Sequence, residues 1–471
     1  MGEAVINKGR LRLPAKASLA YILSSAVARG VSVVGTPIFT RLLSPWEYGL
    51  FPLWRSVGAL LFSFVSLDIF GGAIYRGFQR YAHRRAEFLN AAIGLFTLLV
   101  AIGGGVAFLF FGEFKKLFGL SGGMTLLLFV NLFASGISAL SIAEARYDYK
   151  YRRVVLINLV NALIVPPLSI ILVYFTDYKA EGRIIATVAV SFLLALPLIY
   201  SMLKGKGGLY DREIWRYLLH LNLPLLPYHL SVSVVGRIGE ISVERIFGRE
   251  QMGKYSVATS VGLSLTMVTG GLLSALGPWV MRRISAGEYG RIRELLFLLT
   301  KTVSLGVVLA AAFAPETLAV IAPSGYRDVL PAVYPLIYST LPMFLCAAVT
   351  SGQTFFEKGF RISLPALAST LPAVGFCVFV LPRLDFRAAS FAILASYLLL
   401  LCLEIFSFKS LAGESALWGK KTALCMLIAA GYTLLLFALR DNLAVRLVAT
   451  LPPLLLLPKP ALELFRRIKE S

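Results

Sequence analysis

The sequence predicts an all-α integral membrane protein of about fourteen transmembrane helices: two parallel six-helix lobes plus two C-terminal helices, around a central cavity. Three observations lead there. The 471 residues are 58% hydrophobic and only 15% charged, whereas soluble domains carry about 25% charged residues. Apolar runs of roughly 17–25 residues, enough to cross a hydrocarbon core, recur from end to end. A sequence echo at a fixed offset then divides the chain into equivalent halves.

In order, the runs are 17–39, 50–70, 88–111, 124–143, 154–175, 184–203, 222–244, 255–280, 295–314, 332–351, 362–381, 388–408, 422–439 and 443–457. Only Arg440, Asp441 and Asn442 separate the last two, and Pro452 and Pro453 interrupt the final one. Spans 1–6 form an N-terminal lobe (1–210), spans 7–12 a C-terminal lobe (211–410), and 411–471 holds two further spans and a tail. Connecting segments are too short for a soluble catalytic or nucleotide-binding domain, and no GxxxxGK[ST] pattern occurs, which excludes ATP hydrolysis by this chain. The first run is too long, and lacks a small-residue cleavage site, for a removable signal peptide.

Net charge is +21, from 46 Lys and Arg against 25 Asp and Glu. With the N-terminus placed inside and the sides alternating, well over half of the 46 fall on the inner side. Arg76, Arg80, Arg84 and Arg85 form one cluster there, and Arg146, Lys150, Arg152 and Arg153 another. This positive-inside bias predicts a multi-pass protein of the cell membrane with both termini in the cytoplasm. Topology and anionic headgroups account for the charge, so no nucleic-acid partner is expected. Cys346, Cys377, Cys402 and Cys425 all lie in runs without CxxC spacing, which predicts apolar packing rather than disulfides or a metal site.

The echo pairs Arg41-Leu-Leu-Ser-Pro-Trp-Glu-Tyr-Gly-Leu-Phe51 with Arg245-Ile-Phe-Gly-Arg-Glu-Gln-Met-Gly-Lys-Tyr255, 204 positions apart. Arg meets Arg, Gly49 meets Gly253 and Phe51 meets Tyr255. Each copy runs span, short outer turn, span, basic inner segment, span. Parallel repeats of this kind are a transporter architecture with the substrate held near the bilayer midplane.

Polar residues follow helical spacing in the first span of each half: Ser18, Tyr21, Ser25, Arg29, Ser32 and Thr36, then Asn222, His229, Ser233, Arg237, Glu240 and Glu244. Arg29 lies mid-run, where a charge costs about 2.5–3.5 kcal/mol on insertion scales. Such faces avoid lipid, which makes Ser25, Arg29, Ser32, Thr36, His229, Ser233 and Arg237 candidates for lining a substrate cavity. Arg55 and Lys301, charged residues inside other runs, join them. Glu240, Glu244 and Asp68 are candidate coupling sites for H⁺ or Na⁺. Helix packing through Ser and Thr, and mutual neutralisation of Arg237 and Glu240 at i,i+3 spacing, are the competing structural readings. Asp68 and Glu404 lie near inner ends, where solvated carboxylates are ordinary. His83 is expected in solvent and His220 at the interface. No Ser/His/Asp set, HExxH or paired carboxylates can be assembled, so no enzyme activity, cofactor or metal is expected.

With these residues in view, the chain resembles the polysaccharide-export flippases of the multidrug/oligosaccharidyl-lipid/polysaccharide exporter superfamily. The stretch Arg41-Leu-Leu-Ser-Pro-x-Glu-Tyr-Gly, the Asn222-Leu-Pro-Leu-Leu-Pro-Tyr that opens the second half, and Gly253-Lys-Tyr-Ser-Val-Ala carry the resemblance. Where many relatives have an Asp-Arg pair, this chain reads Gly239-Glu240. The resemblance implies translocation of a polyprenyl-pyrophosphate-linked oligosaccharide from the inner to the outer leaflet. Arg29, Arg55 and Arg237 would hold the pyrophosphate through charge-assisted bonds. It also implies glycosyltransferases of polysaccharide assembly as partners, and function as a monomer is expected. The alternative within the superfamily is a cation-coupled exporter of drugs or small metabolites. A membrane glycosyltransferase or polysaccharide polymerase would need a large outer loop, which the chain lacks.

Overall fold

The computed structural model describes residues 30–31, 35–70, 72–148, 150–204, 207–353, 359–412 and 419–455, and every regular element among them is helical. Among the described residues ten helices are long and apolar enough to cross a membrane, or eleven when Arg212–Asn222 and Leu226–Phe247 count as one broken span. This is a multi-pass membrane protein. The expected fourteen continuous spans are not all found. Most of run 17–39 lies outside the described residues, run 255–280 is divided at Leu263–Leu265, and the last run yields only the short helix Leu443–Leu455. The chain folds as two compact units, Met1–Leu230 and Ser231–Ser471.

The first unit contains α1 (35–42), α2 (Pro45–Ser66), α3 (Gly72–Arg80), α4 (Arg85–Leu109), α5 (Phe111–Phe118), α6 (Gly122–Tyr147), α7 (Tyr151–Phe175), α8 (Lys179–Leu203) and α9 (Arg212–Asn222). The echoed motif starts α2: Ser44 caps the helix, its backbone N–H donates to Glu47 Oε2 (2.9 Å), and Pro45 takes the first turn, where its missing donor costs nothing. The equivalent position 204 residues later, Gly248, caps the next helix at φ 87°, a conformation open to glycine. The echo therefore marks the same chain break in both halves.

Aromatic packing joins α2, α4 and α6, with Phe70 and Phe96 edge to face at 5.0 Å. Gly136 lets α6 approach closely, since a Cβ there would lie 2.1 Å from the Phe96 ring. At the basic end, Arg85 donates to Asp148 (2.6 Å) while stacking on Phe78 and Tyr147. Burial pushes the Asp148 carboxyl upward, but hydrogen bonds from Arg85 and Lys150 outweigh it and hold the carboxyl below its ordinary value.

Helix α9 is amphipathic. Asp211 caps it through the N–H groups of Glu213 and Ile214, and Ile214 and Leu218 turn into the core. The helix and the segment before it are fastened to α4: Trp215 Nε1 of α9 donates to Ala91 O (2.9 Å), Asn90 Nδ2 donates to Gly207 O (3.0 Å), and Gly94 receives Leu209 directly. A Cβ at Gly94 would sit 1.8 Å from the Leu209 carbonyl oxygen. Gly94→Ala is accordingly expected to destabilise the protein by about 1–3 kcal/mol, as overpacking does. Thermal unfolding in detergent checks this, and Gly105→Ala, where a Cβ meets nothing within 4 Å, is the neutral control.

The second unit holds most of α10 (Leu226–Phe247), then α11 (Arg249–Gly262), α12 (Thr266–Ser285), α13 (Tyr289–Ala312), α14 (Ala314–Ile321), α15 (Leu330–Gln353), α16 (Gly359–Gly375), α17 (Ala389–Ala412), α18 (Lys420–Ala438) and α19 (Leu443–Leu455). Its hub is α15, buried along nearly its whole length against α11, α12, α13, α17 and α18. Tyr338 on α15 donates to Met426 O of α18 (3.1 Å). Gly262 accommodates Leu336, whose Cβ a methyl there would meet at 2.4 Å. The cysteines are free thiols. Cys346 and Cys377 pack in the interior as expected, but Cys402 is exposed and Cys425 half-exposed.

Candidate functional site

In the first unit, two charged sites stand along and beyond α2. At its start stands a cation that the run boundaries leave in a loop: Arg183, in the first turns of α8. Its guanidinium lies against the rings of Phe39 (4.1 Å) and Phe51 (4.0 Å), with Tyr48 a third ring at 5.9 Å. All three rings flank or belong to the echoed motif. An ion pair between Lys179 and Glu47 (2.8 Å) draws α8 onto the same end of α2. The Arg183 Nη1 is buried with no hydrogen-bond partner among the described residues. Arg55, exposed on α2, is close enough for its charge to act on Arg183. Two like charges here, one set among aromatic rings, would together attract an anion.

Beyond the other end of α2, Leu67 and Asp68 take left-handed backbone conformations (φ 47° and 51°) that end the helix. Asp68 Oδ2 lies 3.0 Å from His229 Nε2, and the two side chains are 40% and 31% exposed. The expected ion-coupling carboxylate thus meets the expected cavity histidine, and both can reach solvent. Thr36 is half-buried on α1. Ser25, Arg29 and Ser32, with Ser18 and Tyr21, lie outside the described residues.

In the second unit, Glu240 is 7% exposed, accepts from Thr259 Oγ1 of α11 (3.0 Å) and lies 3.6 Å from Arg237 Nη1. Tyr255 is buried beside it: its hydroxyl would lie 3.0 Å from a Cβ on Gly239. Glu244 faces Arg249 at 3.9 Å. These contacts place Glu240 inside the α10–α11 packing, whereas the Arg237 side chain is 30% exposed. Ser233 and Lys301 are half-buried, and Lys301 on α13 lies near Cys425 of α18.

Two expectations are corrected. Asn222 does not extend the α10 stripe; it ends the separate helix α9, where its amide donates to Leu218 O (2.9 Å), because Pro224 interrupts the run. Glu404 is not a solvated carboxylate. It is fully buried on α17, where Oε1 accepts from Thr350 (3.4 Å), its backbone carbonyl accepts from Gln353 Nε2 (3.0 Å), and Oε2 has no partner among the described residues. Arg183 was missed as well. The signal for it lay in the 204 offset, which carries Arg183 onto Arg387, another Arg just before or within the start of a span. There Arg387 forks onto Asp385 (2.6 and 3.0 Å).

The arrangement offers cations within apolar helices and no metal-binding cluster among the described residues. Comparison with known proteins is consistent with that chemistry. The profile of a family described as polysaccharide biosynthesis protein matches residues 38–313. No curated protein sequence matches the chain. Among solved structures, lipid II flippase MurJ in an inward closed conformation shares 16% identity and a TM-score of 0.66, covering 96% of this chain and 99% of that one. An inward-facing MATE family multidrug resistance transporter of the MOP superfamily shares 14% identity and a TM-score of 0.61 over 88% and 99%. A MOP superfamily transporter from Pyrococcus furiosus, described as having a binding pocket of reverse polarity, shares 14% identity and a TM-score of 0.53 over 91% and 99%. At these identities the likeness is one of fold. With well over half its length matched by a single profile, and with the helical frame of MOP transporters, the chain belongs to the polysaccharide biosynthesis protein family.

Proposed function

We propose that this protein is a flippase that carries a polyprenyl-(pyro)phosphate-linked oligosaccharide from the cytoplasmic to the outer leaflet by alternating access, for assembly of a surface polysaccharide or glycan. The observation that carries the reading is the cationic character of the membrane-embedded helices: Arg55 and Arg183 close together in the first unit, and Arg237 partly exposed in the second. A guanidinium in apolar surroundings needs an anionic partner, and it matches phosphate oxygens in a planar fork. The family match to polysaccharide biosynthesis supplies the oligosaccharide, and the shared fold with a lipid II flippase supplies the lipid carrier. Ser25, Arg29, Ser32, Thr36, His229, Ser233 and Lys301 remain cavity candidates. Asp68, Glu240 and Glu244 remain candidates for H⁺ or Na⁺ coupling, with Asp68 the most solvent-accessible of the three through its contact with His229.

The second reading, a cation-coupled exporter, draws on the fold shared with MATE transporters. Cationic side chains would repel the cationic cargo such an exporter takes, which favours the flippase. The test is translocation of a fluorescent polyprenyl-pyrophosphate-linked sugar in reconstituted vesicles. Wild type is expected to flip it and Arg55→Ala to lose most of that rate while still inserting. Transport of a cationic dye with no movement of the lipid-linked sugar would overturn the proposal in favour of the exporter.

A further inference from the structure

On the surface of the first unit, α9 carries a site that the transport reading does not use. Arg212, Arg216 and His220 follow one another at intervals of four, on a single face opposite the buried Ile214 and Leu218. They line two adjoining open clefts of about 600 and 540 Å³. Arg80 of α3 enters the second cleft, its guanidinium stacked on Tyr217 (4.9 Å) and Tyr81 (5.8 Å). No carboxylate lies within ion-pair distance of Arg80, Arg212 or Arg216 among the described residues. The one acid in the lining, Glu213, is already held by the Tyr81 hydroxyl (3.1 Å) and Arg84 (3.6 Å). Three guanidiniums and an imidazole therefore converge on clefts whose single carboxylate is engaged by Arg84 and Tyr81.

The clefts have an apolar rim. Tyr210, Leu223 and Pro224 are exposed beside the basic face, and Tyr210 packs edge to face on Trp215 at 4.9 Å. Trp215 is itself pinned to α4. A short amphipathic helix with Arg on its polar face and Trp, Tyr and Leu beside it is built for the headgroup region of a bilayer. It shares this end of the unit with Arg84, Arg85, Arg152 and Arg153, the end that the positive-inside rule assigns to the cytoplasm. We propose that this surface holds the phosphate headgroup of an anionic phospholipid of the cytoplasmic leaflet, with its acyl chains against Leu223 and Pro224. A free phosphate would use the same guanidiniums, but it has no use for the apolar rim. The proposal stands whatever cargo the protein carries.

The test uses the purified full chain and native mass spectrometry, titrating dioleoyl phosphatidylglycerol against dioleoyl phosphatidylcholine. Wild type is expected to bind phosphatidylglycerol about tenfold more tightly, in keeping with the pull of a few basic residues at a membrane surface, and Arg212→Gln/Arg216→Gln to bind the two lipids alike. Arg80→Gln, read in the same way, gives a milder loss and serves if the double variant does not fold. Equal affinities in wild type, or a preference that survives these substitutions, would overturn the assignment. So would complete displacement of phosphatidylglycerol by millimolar inorganic phosphate, which would make this a site for the free ion.

Discussion

Glu316→Ala is expected to cost the second unit about 3 kcal/mol, because it strands a buried guanidinium. Arg446 enters α19 near its start, with its side chain only 3% exposed, and forks onto Glu316 of α14 at 2.6 and 2.9 Å. It also donates to the Ala312 carbonyl at the end of α13. One side chain thus ties α13, α14 and α19 together. The cost should be asymmetric. Glu316 is 40% exposed, so Arg446→Met leaves a carboxylate that can reach water and replaces the charge with a flexible apolar chain, at about 1 kcal/mol. Hydrogen bonds from Arg446 hold the Glu316 carboxyl below its ordinary value, although burial works against them. A depressed carboxyl stabilises fully above its unfolded value, about 4.3, and loses that contribution as pH falls through the folded value. The midpoints of thermal unfolding for wild type and Glu316→Ala should therefore differ most at neutral pH and converge in acid. Equal midpoints at pH 7, or a gap unchanged in acid, would show that the pair holds nothing.

How much of this was legible in the sequence depends on whether the deciding contact was local. The capping box at Ser44 and Glu47 is written in four consecutive residues, and its echo at Gly248 could be found by offset alone. Most helices follow from apolar runs, whose length a bilayer fixes. The break at Leu263–Leu265 follows Gly262, but a lone glycine inside an apolar run is too weak a signal to divide it. Helix α9 passed for an inner loop, although Asp211 before an alternation of charged and apolar residues is a readable helix start. The fate of Glu404 could not be read at all. Its burial is set by Thr350 and Gln353, some fifty residues earlier on α15, and hydropathy carries no information about such a partner. Arg183 failed for a milder reason: a boundary drawn one residue too late put a caged cation into a loop.

That cage leads to the second large effect. Arg183→Ala is expected to lower translocation of a polyprenyl-pyrophosphate-linked sugar by about ten- to a hundredfold, the loss of one or two hydrogen bonds to a charged group. The rings of Phe39 and Phe51 lie 4.1 and 4.0 Å from the guanidinium carbon. Rings attract the cation without using its N–H groups, and the buried Nη1 has no hydrogen-bond partner among the described residues. Such contacts contribute about 0.5–2 kcal/mol each, so the cage fixes the orientation of the fork as well as its position. Arg183→Lys keeps the charge but replaces the plane with a point, and a partial loss is expected there. A purely structural cation would behave differently. Its removal would lower thermal stability, and adding pyrophosphate would shift the unfolding midpoint of wild type and variant alike. If Arg183 receives the anion, pyrophosphate raises the midpoint of wild type by mass action and leaves that of Arg183→Ala where it was. Equal shifts in the two proteins, with translocation intact in the variant, would assign the cage to packing and leave the pyrophosphate to Arg55 and Arg237.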